Sequence, residues 1–229
     1  MKQAFSILEL LVVIAIMGIL TSLLLPVFGA ARDASQDAVC RNNQRQLVIA
    51  ASAFRTDHES NPPAISYVQQ DGVTAMVAWD DNEILWQYID QDAHQMMCPN
   101  HIITTGSITG YNYNTSFIGD EDYLFTEVVH GVRPSDCAHP AHCAMFGDSS
   151  QNKFMRSPLS DAVYDPYTDD YTRCAGRQAY RHRGATNVAM LDGHVKIVKL
   201  KFNGCGDASS AGFISEDNAA YDPRVIKLH

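Results

Sequence analysis

A single carboxylate lies inside the first apolar segment of this chain. Glu9 is the only charged residue between Lys2 and Arg32, and the residues around it are almost all apolar. A run of this length can cross the hydrocarbon core of a bilayer as one helix. A carboxylate inside such a run costs roughly 2.5–3.5 kcal/mol on insertion scales. Glu9 therefore needs a cation at a similar membrane depth to offset that cost.

The α-amino group of Phe5 is the cation that the sequence can place beside Glu9. If the chain is cut after the small residue Ala4, Phe5 becomes the N-terminus, and its amine lies about one helical turn from Glu9. The two groups can then neutralise each other within one chain or between neighbouring copies. A cleaved secretory signal peptide would have a shorter apolar core, and a plain single-span anchor would leave Glu9 without a partner.

The N-terminus resembles that of type IV prepilins and pseudopilins, which have a short basic leader, a small residue and then Phe-Thr-Leu-Ile-Glu-Leu-Leu. Here the leader is Met1-Lys2-Gln3-Ala4, and the matching segment is Phe5-Ser6-Ile7-Leu8-Glu9-Leu10-Leu11. Ala4 replaces the glycine that usually precedes the cut, and Gly18 and Pro26 stand where pilins place a helix-weakening glycine and proline. The resemblance implies that a prepilin peptidase removes residues 1–4 and typically methylates the new amine.

Three internal motifs resemble a large prepilin subgroup whose C-terminal signature is His, any nine residues, then Asp-Gly. His182 precedes Asp192-Gly193 at that spacing. The segment Cys-Arg-Asn-Asn-Gln-Arg-Gln-Leu at 40–47 resembles Cys-x-Asn-Asn-Leu-Lys-Gln-Leu on the first helix of the subgroup. The third motif is Cys98-Pro99 followed by Gly-Tyr-Asn-Tyr-Asn at 110–114. The motifs occur in the expected order along the chain.

The sequence predicts an α+β, pilin-like fold in which a long helix from about Phe5 to about Thr56 packs on a small antiparallel β-sheet. Residues 5–28 are its transmembrane or filament-core half, 29–56 its amphipathic half, and 57–229 the globular head. Beyond Pro26, small and apolar residues recur on one side of the helix, with charged and amide residues on the other. The proline loosens the preceding turn but need not end the helix.

The clearest signal in the head is a hairpin at 186–200. Two β-type runs flank Asp192-Gly193, a dipeptide that suits a two-residue type I′ turn. The alternation of the second run breaks between Ile197 and Val198, which predicts a bulge there. The remaining predictions are a loop over 58–72, a short helix over 82–89, and strands over 106–118 and 144–146.

Composition excludes several classes of function. The net charge is −9 and the pI is about 5.3, and no long basic run occurs, so we predict no nucleic-acid partner. About two hundred residues beyond the membrane segment suffice for one soluble core. The absence of Cys-x-x-Cys from the sequence argues against tetrathiolate zinc and thioredoxin-like redox motifs, and the absence of Cys-x-x-Cys-His argues against attached c-type haem.

Six cysteines in a domain held outside the cytoplasm predict disulfide bonds. Six cysteines allow fifteen connectivities, which the sequence leaves open; of these we expect the pairs Cys40–Cys98, Cys137–Cys143 and Cys174–Cys205.

Three groups of residues have the composition of a metal site, and for each we expect a structural role. His182, Asp192 and His194 could gather at one end of the hairpin, but we expect His182 to close the hairpin through the turn backbone or Asp192. The loop from Cys137 to Cys143 contains two histidines, but a disulfide is the expectation there.

The third group is acidic: Asp165, Asp169 and Asp170 could bind calcium through their oxygens. Some pseudopilins carry calcium in a C-terminal loop, but this spacing matches no defined calcium loop, and a solvated face is the expectation. We therefore expect no cofactor, with calcium as the alternative.

The resemblance implies a structural subunit, pilin or pseudopilin, of a type IV pilus-like or type II secretion-like filament, and no enzymatic activity. The chain would span the inner membrane once and then enter a periplasmic or cell-surface filament. Its partners would be copies of itself or related pilins, the prepilin peptidase and the assembly machinery. The alternatives are a membrane-anchored extracytoplasmic protein that binds metal or carbohydrate, and a surface enzyme. Glu9 favours the filament subunit over both alternatives, because a helix that serves only as an anchor gains nothing from a buried carboxylate.

Overall fold

The computed structural model describes residues 7–70, 73–81, 84–89, 95–101, 107–119, 132–150, 152–159, 176–203 and 210–225. One compact unit ends at Ala38, and a second begins at Val39. Several predicted site residues lie outside the described residues: Ala4, Phe5, Asp165, Asp169, Asp170, Cys174 and Cys205.

Helix α1 spans Ile7–His58 and passes through Pro26 without ending, as the sequence predicts. Every residue from 7 to 35 is exposed. The most apolar window of the helix has a mean hydropathy of 2.7, and none of it is buried. By length and composition the helix can therefore cross a membrane.

The second part of α1, from Val39 onward, contributes one face to the core of the head. Leu47 and Ala51 are fully buried there, while the intervening Ile49 is 67% exposed. The predicted amphipathic stripe is therefore confirmed for this part of the helix. Its apolar side chains pack in a cluster with Tyr113 and Phe146, whose rings stack with centroids 4.9 Å apart.

A five-stranded sheet forms the centre of the head. Its strands are β3 Tyr111–Asn114, β4 Ala144–Asp148, β5 Phe154–Met155, β7 Thr186–Met190 and β8 Val195–Val198. They lie in the order β5-β3-β4-β7-β8, and the sheet is mixed, because β3 and β5 run parallel while the other neighbours are antiparallel. The predicted antiparallel sheet is therefore correct for four of its strands and wrong for β5.

Two smaller sheets flank it. Strands β1 (Ile65–Gln70) and β2 (Val73–Ala78) form an antiparallel hairpin, and β6 (Gln178–Ala179) pairs with β9 (Ala211–Gly212). The predicted loop over 58–72 is thus wrong over Ile65–Gln70, where Ile65 joins the core at 4% exposure. Within the predicted helix over 82–89, the described residues form a short 3₁₀ turn at Trp86–Tyr88.

The central sheet has an apolar core on each face. Along β7 and the turn that follows, Val188 and Met190 belong to one cluster, while Ala189 and Leu191 belong to the other. Side chains alternate between the faces of a strand, so the two clusters lie on opposite faces. The first core includes α1, and the second includes the C-terminal Phe213, Ile214 and Tyr221.

The predicted hairpin is confirmed, but its turn differs from the prediction. Gly193 has a φ of 96°, whereas Asp192 is not among the described residues with positive φ. Gly193 N donates to the Met190 carbonyl at 2.9 Å, and Met190 N donates to the His194 carbonyl at 2.8 Å. Three residues therefore form the loop, and only the glycine adopts positive φ, as in a three-residue hairpin loop.

The predicted bulge at Ile197 and Val198 is absent from the described hairpin. The register is continuous from Thr186 opposite Val198 to Ala189 opposite Val195. Val195 packs on the first core and Val198 on the second. Because both faces have a core, the apolar residues of β8 need not share one face, and no bulge is required.

Candidate functional site

Three metal-ligating side chains from separate parts of the head converge in its interior. The sulfurs of Cys40 and Cys98 and a ring nitrogen of His182 all lie within 4.8 Å of one another. Cys98 Sγ is 3.7 Å from His182 Nε2. Both cysteines are fully buried, and His182 is 5% exposed.

Backbone hydrogen bonds fix the two residues that come from turns. Cys98 N donates to the Thr109 carbonyl at 2.9 Å, which holds this turn against the start of β3. His182 and Ala185 exchange two backbone hydrogen bonds of 3.0 Å. Between them Arg183 and Gly184 have φ values of 57° and 75°, the signature of a type I′ turn. A type I′ turn therefore lies beside His182, whereas the one predicted at Asp192-Gly193 is absent from the described hairpin.

Two amides on α1 anchor the helix beside Cys40. Asn43 Nδ2 donates to the Met96 carbonyl at 2.8 Å and to Tyr111 Oη at 3.1 Å. Gln44 Nε2 donates to the Asn187 carbonyl at 3.0 Å and to Asp148 Oδ1 at 3.2 Å. These buried polar contacts fix the rotation of α1 and therefore the position of Cys40.

A buried carboxylate, Asp148 at the end of β4, completes the polar cluster. Its Oδ2 accepts a 2.7 Å hydrogen bond from Asn187 N and lies 3.4 Å from His182 Nε2. Its Oδ1 lies 3.9 Å from Arg181 Nη2 and accepts the hydrogen bond from Gln44. Donors on four residues surround this carboxylate, as the burial of a charge requires.

Arg181 connects this carboxylate to the edge of the site. Its guanidinium donates to the Gly110 carbonyl, and its Nη1 lies 3.2 Å from His101 Nδ1. His101 Nε2 lies 2.9 Å from the Ser107 carbonyl. Burial, together with the charge of Arg181, lowers the pKa of His101. His101 is thus a neutral imidazole that donates from Nε2 to Ser107 and accepts at Nδ1 from Arg181.

The three converging side chains shift one another's pKa. The hydrogen bond with Cys40 lowers the pKa of Cys98, with further help from His182 and Arg181, and the same bond raises the pKa of Cys40. Burial alone would lower the pKa of His182, but hydrogen bonds with Asp148 and Cys98 outweigh it and raise this pKa to about 10. These shifts favour the proton between the two sulfurs on Cys40 rather than Cys98, and they favour the charged form of His182.

This arrangement differs from a nucleophilic triad. In a triad the nucleophile and the carboxylate contact different ring nitrogens of the histidine. Here Cys98 and Asp148 both approach His182 Nε2, and the sulfur is fully buried. The chemistry that the geometry offers is disulfide formation between Cys40 and Cys98, or cation binding by the two sulfurs and the imidazole.

The structure brings together some of the predicted site residues. Cys40 and Cys98 are adjacent and have free thiols, so their disulfide stays a prediction. Asp192 and His194 contact each other at the exposed hairpin turn, with His194 Nδ1 2.6 Å from Asp192 Oδ1. In the described part of the chain, the ligand group around His182 contains neither of them. The metal set of His182, Asp192 and His194 is therefore not assembled.

Cys137 and Cys143, the second predicted pair, have thiols that contact backbone carbonyls. The Cys143 thiol donates to the Tyr221 carbonyl at 2.9 Å, and the Cys137 thiol donates to that of Arg133 at 3.4 Å. Burial raises the pKa of both thiols. Both thiols are free in this structure, and their pairing stays a prediction.

Sequence reasoning missed the residues that surround the cluster. Asp148 and Arg181 were not predicted as site residues, although Asp148 follows a short apolar run that we predicted as a buried strand. A carboxylate two residues after such a strand was the available signal. Arg181, adjacent to His182, gave no comparable signal.

No protein-family model, curated protein or solved structure matches this chain.

Proposed function

We propose that this protein is a structural subunit, pilin or pseudopilin, of a type IV pilus-like or type II secretion-like filament. The observation that carries the proposal is the segment at the start of α1. Every residue from 7 to 35 is exposed, and Glu9 is the only charged residue among them before Arg32. Leu23, Leu24 and Leu25 are each about two-thirds exposed, at 66%, 65% and 66%. Such a surface is stable only in lipid or against other apolar helices.

The prepilin-like motifs also support the proposal, because their residues meet in the head. Cys40, Asn43 and Gln44 belong to the first motif, Cys98 to the second and His182 to the third, and all five are buried in one polar cluster. Motifs far apart in sequence thus serve one purpose, which is to fix α1 on the sheet.

The mechanism is assembly. A prepilin peptidase cuts between Ala4 and Phe5, and α1 holds the chain in the inner membrane with the head outside the cytoplasm. The assembly machinery then transfers the helix into a bundle with copies of the chain or related pilins. There Glu9 pairs with the amine of Phe5 and sets the register of the incoming subunit, as buried polar groups do elsewhere.

Replacing Glu9 with Gln tests this mechanism. The variant should reach the membrane at the wild-type level or above it, because an expensive charge has been removed. Its incorporation into filaments should fall sharply, because the amine on Phe5 loses its counter-ion in an apolar bundle. Membrane level is measured by fractionation, and incorporation by electron microscopy and mass spectrometry of sheared filaments. The same spectra should show subunits that lack residues 1–4.

Thr21→Val is the matched control on the same helix. The Thr21 hydroxyl donates to the Met17 carbonyl at 2.8 Å within α1, so its removal leaves no charge unpaired, and incorporation should be unchanged. Normal incorporation of Glu9→Gln at a normal membrane level would contradict the filament mechanism. The membrane-anchored binding protein would then be the better hypothesis.

A further inference from the structure

The buried cluster of Cys40, Cys98 and His182 has a feature that filament assembly does not explain. In the described part of the chain, these are the one group of three His, Cys, Asp or Glu side chains whose metal-ligating atoms all lie within 4.8 Å of one another. A disulfide would account for the two sulfurs but not for the imidazole beside them. We propose that the reduced cluster is a binding site for a thiophilic divalent cation of the zinc type, held by both sulfurs and His182 Nε2.

The distance between the donor atoms of Cys98 and His182 fits such an ion. With Zn–S near 2.3 Å and Zn–N near 2.0–2.1 Å, tetrahedral geometry places a sulfur and a nitrogen about 3.6 Å apart. Cys98 Sγ and His182 Nε2 are 3.7 Å apart. Two thiolates and an imidazole form a ligand set that favours zinc over calcium or magnesium, which prefer oxygen.

The charges around the cluster also suit a dication. Asp148 places a carboxylate oxygen 3.4 Å from His182 Nε2, and its buried negative charge faces the site. Binding releases the protons on Cys40 and His182 Nε2 to solvent, because metal ligands must be deprotonated. The two thiolates and Asp148 then carry three negative charges. A divalent ion together with Arg181, 3.9 Å from the same carboxylate, balances them. A buried site that is neutral overall avoids the cost of an uncompensated charge.

The ion would join three parts of the head that are far apart in sequence. Cys40 lies on α1, Cys98 in the turn before β3, and His182 in the turn before β7. Because these positions come together only on folding, the binding free energy contributes to folding stability. The proposed ion is therefore a structural clamp between α1 and the sheet.

Cobalt binding tests the site directly, because Co²⁺ takes the zinc geometry and reports thiolate ligands by absorption. The full chain is purified in detergent, reduced, freed of metal and titrated with Co²⁺ and then Zn²⁺. We expect one Co²⁺ per chain with thiolate-to-cobalt charge-transfer bands, displacement by Zn²⁺ and a higher Tm with Zn²⁺. X-ray absorption of the zinc form of the wild type should show two sulfur ligands and at least one imidazole nitrogen.

Substitutions then assign the ligands. Cys98→Ser and His182→Gln should each weaken Co²⁺ binding at least about 100-fold, because loss of a ligand exceeds the usual effect of a surrounding residue. Cys137→Ser, outside the cluster, should bind as the wild type does. If a ligand variant fails to fold, the X-ray absorption of the wild type decides.

Three results would overturn the proposal: no stoichiometric Co²⁺ binding by the reduced wild type, a zinc spectrum without two sulfurs, or native protein isolated with a Cys40–Cys98 disulfide. Because the measurements use unassembled chains, they are independent of the outcome for Glu9→Gln. Loss of filament assembly would leave the metal site intact, and loss of metal binding would leave the role of Glu9 intact.

Discussion

Replacing Lys153 with Met should strongly destabilise the head. Lys153 Nζ lies 2.6 Å from Asp80 Oδ1, and the two side chains are only 6% and 0% exposed. Methionine keeps most of the volume but leaves the Asp80 carboxylate buried without its cation. Breaking a buried pair in this way costs about 3–5 kcal/mol. For a domain of this size each kcal/mol lowers Tm by about 2–4 °C, so the expected loss is roughly 6–20 °C.

The loss should depend on pH in a defined direction. Burial raises the pKa of Asp80, and the charge of Lys153 opposes that rise; without Lys153 the pKa rises further. A carboxyl group whose folded-state pKa is raised stabilises the fold below its unfolded value of 3.8, and that contribution is lost as the pH rises through the folded value. The destabilisation by Lys153→Met should therefore be smaller near pH 4 than near pH 8.

Tryptophan fluorescence during thermal unfolding of the full chain in detergent measures the effect. Trp79 reports on this region, because its indole N–H donates to the Lys153 carbonyl at 2.7 Å, a contact that methionine preserves. Arg133→Met is the control. It breaks a 3.8 Å pair with Asp136 in which the side chains are 83% and 57% exposed, and it should cost less than about 1 kcal/mol.

Two outcomes would refute this reasoning. One is a Tm for Lys153→Met within about 2 °C of the wild-type value. The other is a loss that grows as the pH falls. The double variant Lys153→Met with Asp80→Leu removes both charges and should recover much of the lost stability, because no unpaired charge remains. A double variant as unstable as the single one would point to packing instead.

Two further pairs of variants separate neighbouring effects in the head. Asn43→Ala leaves the Met96 carbonyl without its 2.8 Å donor and should cost about 1–3 kcal/mol of stability. Asn42→Ala, at the adjacent exposed position, should change stability by less than about 0.5 kcal/mol. Equal Tm losses for the two variants would contradict the anchoring role of Asn43. Gly110→Ala places a Cβ 2.5 Å from a His101 carbon at a φ of 79°, whereas Gly184→Ala has a φ of 75° and meets nothing within 4 Å. Circular-dichroism melting should show about 1–2 kcal/mol lost at Gly184 from backbone strain alone and more at Gly110, and the reverse order would contradict the close contact.

The sequence predicts the parts of the fold that depend on local patterns. Helix α1 and the hairpin at 186–200 are predicted because hydrophobic periodicity and an Asp-Gly turn are signals within a few residues. The turn type of that hairpin is not predicted, because the type depends on whether Leu191 belongs to the strand or to the loop. The positive φ of both turn residues occurs instead at Arg183 and Gly184, where no flanking β-type runs pointed to a turn.

The polar cluster is predicted only in part, for a related reason. The sequence predicts that Cys40 and Cys98 come together, because Cys40 lies on the helix face expected to meet the head, and their sulfurs are adjacent. Asp148 and its contact with Gln44 join residues that are 104 positions apart, and no local pattern marks a carboxylate that will be buried. Its burial is decided by which donors the fold places around it, and these come from α1, β7 and the turn before β7.

The central sheet has an apolar core on each face, and the two ends of the chain contribute to different cores. The first core includes α1, and the second includes Phe213, Ile214 and Tyr221. If α1 were pulled away from the sheet, the second core would still shield one side of β4 and β7. The backbone amides of these central strands would then exchange with solvent later than those of β8, which lies at the edge. A pulling force on α1 therefore need not unfold the C-terminal half of the chain.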